Sequence, residues 1–288
     1  MSTLLLSFGH GYSARALTPL LLAEGWPIHG TTRTPGKTAA LAATGVTPHL
    51  MPGEDLGPLI DRASHLLISA GPDAEGDPAL RLWRDRIADN AGRFQWVGYL
   101  STTGVYGDHA GGWVGEDTAL TPSTRRGRWR VAAEAEWRAI PGLPLHIFRL
   151  AGIYGPGRGP FAKVRKGTAR RIIKPGQVFS RIHVEDIAQV LAASIARPRP
   201  GAVYNLCDDD PAPPQDVIAH ACDLLGKPLP PEEDFATAEM TPMARSFYAE
   251  SKRVRNDRIK EELGVRLRYP DYRSGLKALL EAESDGRP

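Results

Sequence analysis

Gly9-His10-Gly11-Tyr12-Ser13-Ala14 follows the apolar run Leu4-Leu5-Leu6-Ser7-Phe8 and precedes a stretch with Leu17, Leu20 and Leu21 at helical spacing. A GxGxxA turn between a strand and a helix leaves a chain few folds to choose from. The first glycine permits the tight turn, the second lets a ligand approach the backbone, and the small Ala14 lets helix and strand pack closely. The helix then presents free N–H groups and the positive end of its dipole to an anion, which is how a dinucleotide pyrophosphate is held.

The rest of the first half repeats the same rhythm. Runs rich in apolar and β-branched residues at 27–32, 65–70, 94–102 and 145–150 alternate with helix-length segments at 12–24 and 130–139. Strands alternating with helices predict an α/β fold, a Rossmann doubly wound parallel sheet with a smaller C-terminal substrate-binding lid. Residues 1–153 form the expected nucleotide-binding domain and 154–288 the mixed lid region. Within that region 180–206 is expected to return to the sheet, with a helix at 184–196 and a strand at 203–206. Further helices are expected around 216–225 and 254–263, a Pro-rich connector at 228–231 and a polar tail at 282–288.

Composition removes several classes of function. No apolar run approaches the roughly 20 residues a membrane helix needs, and the N-terminus runs straight into the glycine turn, so a soluble, cytoplasmic protein without membrane partners is expected. Cys207 and Cys222 have neither CxxC spacing nor a nearby histidine cluster, the eight histidines show no ligand pairing, and no metal site is expected. No GxSxG elbow occurs. Arg outnumbers Lys 28 to 8, and the planar guanidinium suits phosphate and carboxylate. Without a basic stripe, reading helix or aromatic platform, an anionic small molecule is the expected partner and nucleic acid is not.

Cofactor choice is read at the end of the second strand, Thr31-Thr32-Arg33, where an NAD-selective site would place an acid for the ribose hydroxyls. Thr32, Arg33 and Lys37 instead suit a 2′-phosphate, so NADP is expected over NAD.

Later segments carry a resemblance: Leu100-Ser101-Thr102-Thr103-Gly104-Val105-Tyr106-Gly107, then Arg149-Leu150-Ala151-Gly152-Ile153-Tyr154-Gly155-Pro156, Arg181-Ile182-His183-Val184-Glu185-Asp186 and Val203-Tyr204-Asn205-Leu206. In this order over nearly the whole chain, they resemble the extended short-chain dehydrogenase/reductases, a group that includes sugar-nucleotide epimerases and dehydratases. With Ala244-Arg245-Ser246-Phe247-Tyr248 and Val254-Arg255-Asn256, the chain is similar to the atypical, YeeZ-like branch. The resemblance implies that Thr102 hydrogen-bonds the reacting oxygen. It also implies a tyrosine and a lysine four residues apart. Counting back from Glu134, those positions fall on Arg126 and Arg130. Arg130 retains the ability to bind ribose or phosphate, whereas Arg126 stays charged and cannot exchange a proton near neutral pH. The family arrangement also implies a homodimer.

Cofactor contacts are therefore expected from Gly9, Gly11, Tyr12, Ser13, Thr32, Arg33, Lys37, Ser69, Ala70, Ser101, Arg130 and Gly152. Replacement chemistry is sought at Tyr106, which follows the strand carrying Thr102, and at Asp73, a loop acid beyond the strand at 65–70. Asp77 before Pro78 reads as a helix N-cap, and His183 as a residue tying a helix to the sheet. Arg126, Arg158, Arg245 and Tyr248 are the expected substrate contacts. Two functional readings stand at this point: an NADP-dependent oxidoreductase or epimerase-like enzyme acting on an anionic small molecule, and a catalytically inactive NADP(H)-binding sensor or scaffold. A third leaves a flavin or a nucleotide sugar alone in the same crevice.

Overall fold

A computed structural model describes residues 3–285. Seven strands, β1 (Leu5–Phe8), β2 (Ile28–Thr32), β3 (Thr47–Leu50), β4 (His65–Ile68), β5 (Trp96–Thr102), β6 (Leu145–Leu150) and β7 (Val203–Leu206), form one sheet in the order β7-β6-β5-β4-β1-β2-β3. Every pair in it is parallel. The order reverses between β1 and β4, and the crevice outside the strand ends at that point is where such sheets bind ligands.

Strand residues alternate between two cores. Leu6, Phe8, Leu66, Ile68, Val97 and Tyr99 face helices α2 (Pro78–Asp89) and α3 (Arg125–Arg138), which contribute Leu80, Ile87 and Trp137. Leu5, Leu67, Trp96, Phe148 and Tyr204 face α1 (Tyr12–Ala23), α4 (Val184–Ala196) and α6 (Asp257–Leu263). Burial on both faces explains the nearly continuous apolar runs of β1, β4 and β6. The segment at 184–206 thus rejoins the sheet layer through α4 and β7, and so does α6.

The remaining C-terminal chain builds a second, smaller core. Phe161, Val164, Val217, Ala221, Tyr272 and Leu276 pack together around α5 (Pro214–Leu224) and α7 (Tyr272–Ser284). Two two-stranded parallel pieces, 152–154 with 181–183 and 113–114 with 253–254, tie the C-terminal chain to the sheet domain, and a third, 171–173 with 232–234, lies within the lid itself.

Local signals place the helix starts. Asp77 caps α2, accepting from the N–H groups of Ala79 and Leu80 at 2.9 and 3.2 Å. Thr124 caps α3 and Asp271 caps α7. His183 caps α4 with its ring nitrogen, 3.3 Å from the Glu185 N–H, while its strand pairs with 152–154. Two expectations are corrected. The helix expected over 254–263 begins only at Asp257, because Arg253 and Val254 pair with Trp113 and Val114. Residues 282–284 of the expected polar tail are the last turn of α7, and 286–288 lie outside the described residues. Strand β3 was not anticipated: it is a half-exposed edge strand containing Pro48, which blurs its apolar pattern.

Among the described residues no helix is long and apolar enough to cross a membrane.

Candidate functional site

The glycine turn has the geometry that its sequence demands. Gly9 has φ +77°, and a Cβ there would stand 2.7 Å from the Ala70 backbone nitrogen. The Gly9 N–H donates to the Thr31 hydroxyl at 2.7 Å, and the His10 N–H to the Thr31 carbonyl at 2.8 Å. A Cβ on Gly11 would meet only the Gly9 carbonyl, at 3.7 Å, so the space ahead of α1 is open to a ligand. Helix α1 begins without a side-chain cap and without an acid in its first turn. Its N–H groups and dipole are therefore free to receive a phosphate, and the residues fit a dinucleotide.

From this turn a cleft of about 920 Å³ extends beneath the lid. Ser13, Ser69, Ser101, Thr102, Arg130 and Gly152 line it from the sheet side, and Arg126 from α3. Arg158, Lys163 and Arg181 line it from the lid, with Glu250 and Lys252 on the segment that leads into residues 253–254. The Thr102 Oγ1 accepts from the Gly104 N–H at 3.1 Å, which leaves its own proton free for a ligand oxygen. Arg130 donates to the Leu100 carbonyl at 2.5 Å and to the Tyr99 hydroxyl at 3.2 Å, a brace at the ends of the central strands. Arg181 donates to the carbonyls of Phe179 and Ala212 and lies over the Tyr272 ring. Burial lowers its pKa from the ordinary arginine value, partly opposed by the nearby Asp208 carboxyl.

Several expected site residues lie elsewhere or are otherwise engaged. Tyr106 is fully buried, and its hydroxyl donates to Asn205 at 2.7 Å and accepts from Arg149 at 2.9 Å. Burial raises its pKa, so it belongs to the framework and not to the cleft. Asp73 stands outside the cleft lining. Its carboxylate accepts from the Glu75 N–H and from Arg81, which hold its pKa below the ordinary value, and no part of it reaches the cleft. Ser101 lines the cleft, but its hydroxyl donates to Glu134 at 2.6 Å. Tyr12 donates its hydroxyl to the Pro156 carbonyl at 2.9 Å, bridging α1 to the lid, and burial pushes its pKa up to about 12. Arg245 lies over Phe235 and donates to the Ala238 carbonyl, and Tyr248 packs between Phe179 and Phe235. Both are therefore outside the lining, which Ser246 and Phe247 reach instead. Ala70 closes against Gly9. Thr32, Arg33 and Lys37 sit at and just beyond the end of β2, with Arg33 and Lys37 exposed; the Arg33 charge reaches the Asp73 carboxyl.

Beneath the cleft lies a buried ion pair. Arg149 meets both oxygens of Glu134, at 2.9 and 3.2 Å, with each side chain at most 3% exposed. The pair joins β6 to α3, and Ser101 and Tyr106 complete it. Glu250, Lys252 and Lys163 carry no local motif that marks them as cleft residues, since only tertiary contacts bring them to the site, whereas Arg181 opens one of the segments that carry the resemblance, which assigns it no site role. Among the described residues no group of three His, Cys, Asp or Glu side chains could hold a metal ion.

No family model matches the chain. It is 28% identical over 277 residues to protein YeeZ of Escherichia coli, a match spanning 91% of this chain and 95% of the relative. A functionally unknown conserved protein from Silicibacter pomeroyi DSS is 66% identical, with a TM-score of 0.95 over 97% of this chain and 99% of that one. A solved structure from Methylobacillus flagellatus, whose assignment as an NAD-dependent epimerase/dehydratase is itself provisional, is 25% identical, with a TM-score of 0.70 over 98% and 99% of the two chains.

Proposed function

The chain belongs to the atypical, YeeZ-like branch of the extended short-chain dehydrogenase/reductases, and on that premise we propose that it is an NADP-dependent oxidoreductase or epimerase-like enzyme acting on an anionic small molecule. The observation that carries this reading is the charge of the cleft: among the described residues Arg126, Arg130, Arg158, Lys163, Arg181 and Lys252 line it against one carboxylate, Glu250. A basic, partly enclosed cleft concentrates anions and favours bidentate contacts to carboxylate or phosphate. The turn at Gly9 and Gly11 would take the pyrophosphate, Arg130 the ribose, and Arg33 with Lys37 the 2′-phosphate. When bound, the nicotinamide supplies the hydride acceptor or donor. Thr102 would donate its hydroxyl proton to the substrate oxygen, and the lid cations would hold the anionic part of the substrate against the sheet ends. A cytoplasmic homodimer is part of the same proposal.

The second reading, a sensor or scaffold that binds NADP(H) without turnover, is favoured by one observation. Arg126, where family enzymes carry their tyrosine, points into the cleft and exchanges no proton near neutrality.

Calorimetric titration with NADP, NADPH, NAD and NADH at fixed salt tests the cofactor assignment. Selective binding of the phosphorylated forms is expected. Arg33→Ala should weaken them roughly 10- to 100-fold, the worth of a charge-assisted hydrogen bond, and leave NAD unchanged. Equal losses for both dinucleotides would refute the role of Arg33, and no binding of any form would overturn the proposal. Turnover in a subsequent NADPH-coupled screen of anionic carbonyl compounds separates enzyme from sensor.

A further inference from the structure

The resemblance puts Arg126 where a proton-donating tyrosine is expected, and one wall of the cleft carries an acid held in an unusual way. The Glu250 and Lys252 side chains are only 11% and 10% exposed, and they pair at 2.6 Å. The other Glu250 oxygen accepts from the Ser123 hydroxyl at 2.5 Å. Ser123 immediately precedes Thr124, the cap of α3, and lies three residues before Arg126. The carboxylate therefore reaches the cleft from the lid at the end of the helix from which a family tyrosine would project. Lys252 also donates to the Gly107 carbonyl at 2.6 Å, in the loop that follows Thr102 and its turn.

The segment bearing both groups is pinned in place. The Ser251 N–H donates to Asp108, the Ser251 carbonyl accepts from the N–H groups of His109 and Gly111, and Gln177 donates to the Glu250 carbonyl. Such anchoring holds an acid in one position, as proton transfer requires.

The other lining groups are poor alternatives. No histidine or cysteine lines the cleft among the described residues. Tyr154 donates to the Asp271 carbonyl, and burial drives its pKa far above the ordinary phenol value. Burial also raises the pKa of Tyr272. The guanidinium groups stay protonated.

We infer that Glu250 is the proton-exchanging group of this cleft and that Lys252 is its positioning residue, an assignment that rests on the nicotinamide reading above. In the oxidising direction the O–H bond of a substrate alcohol breaks as its proton passes to a Glu250 oxygen. The C–H hydrogen leaves with its electron pair to the oxidised nicotinamide, and the C=O bond forms. Glu250 then releases the proton to water at the cleft mouth. Reduction of a carbonyl runs the same transfers backwards.

A group close enough to exchange this proton must sense the charge of the nicotinamide ring, positive when oxidised and neutral when reduced. The test therefore needs no substrate. NADP and NADPH dissociation constants are measured for the wild type, Glu250→Gln and Lys252→Met, with melting curves to confirm folding. Removing the carboxylate leaves the ammonium behind and should raise the NADP/NADPH ratio of dissociation constants about tenfold. Removing the ammonium leaves the carboxylate and should lower it by a similar factor. Shifts of opposite sign support the assignment, since a purely structural pair would weaken both forms alike. An unchanged ratio in both variants, or movement in the same direction, overturns it while the cofactor reading survives. If Glu250→Gln does not fold, Lys252→Met decides by the sign of its shift. A wild type that binds neither form removes the cofactor reading, and this inference with it.

Discussion

Asp208→Asn should make this protein more stable at neutral pH. Asp208 follows β7, is 1% exposed, and neither carboxylate oxygen has a hydrogen-bond partner of good geometry. Burial raises its pKa from the usual 3.8 to about 8, against the opposing pull of Arg181. Between those limits the folded protein holds a proton that the unfolded chain releases, so stability falls as pH rises from about 4 to about 8. Each pH unit in that span is worth about 1.4 kcal/mol, which accumulates to about 4 kcal/mol by pH 7. The asparagine amide imitates the neutral carboxyl that occupies the site at pH 7, but it gives the unfolded chain no ionisation to gain. A buried amide N–H without a partner costs about 1–3 kcal/mol, which leaves a net gain of about 2 kcal/mol. That corresponds to a rise of about 4–8 °C in melting temperature at pH 7.5. Near pH 4 the ionisation advantage shrinks below about 1 kcal/mol, so the amide cost should leave the variant slightly less stable than the wild type there. Calorimetric scans of both proteins at pH 4.5 and 7.5 provide the check. A variant less stable than wild type at pH 7.5, or a difference identical at both pH values, would refute the reasoning.

Three further perturbations follow from the same structure. Glu134→Gln leaves the Arg149 guanidinium buried and uncompensated, and should destabilise the fold by about 3–5 kcal/mol in denaturant titrations. Gly9→Ala forces an L side chain to φ +77° and drives its Cβ to 2.7 Å from backbone, so dinucleotide binding should be lost and the melting temperature should drop. Tyr106→Phe removes a buried hydroxyl that bonds Asn205 and Arg149. It should cost about 1–3 kcal/mol of stability while leaving cofactor affinity within twofold, and a selective loss of turnover would restore Tyr106 to the chemistry.

What could be read along the chain was local. The apolar runs of β1, β4, β5 and β6, the helical spacing of Leu17 and Leu21, the Asp77-Pro78 helix start and the GxGxxA turn each carry their physics within a few consecutive residues. Together they specify a doubly wound sheet with an anion-receptive helix end. The resemblance then located Thr102, Arg126 and Arg130, all of which line the cleft.

Tertiary structure decided which candidate side chains face a ligand. Tyr106 and Asp73 have the right chemistry and lie near strand ends, yet one turns into the framework of Arg149 and Asn205 and the other pairs with Arg81. Arg245 and Tyr248 pack on Phe235, while Phe247 beside them reaches the cleft. Glu250 and Lys252 arrive from more than a hundred residues beyond Thr102 because residues 253–254 pair with 113–114 and Ser251 binds Asp108. A periodic pattern records which face of an element is buried. It carries no record of which distant segment will cover an opening, because that depends on long-range packing and pairing, and here those contacts bring the Glu250 carboxylate to the cleft.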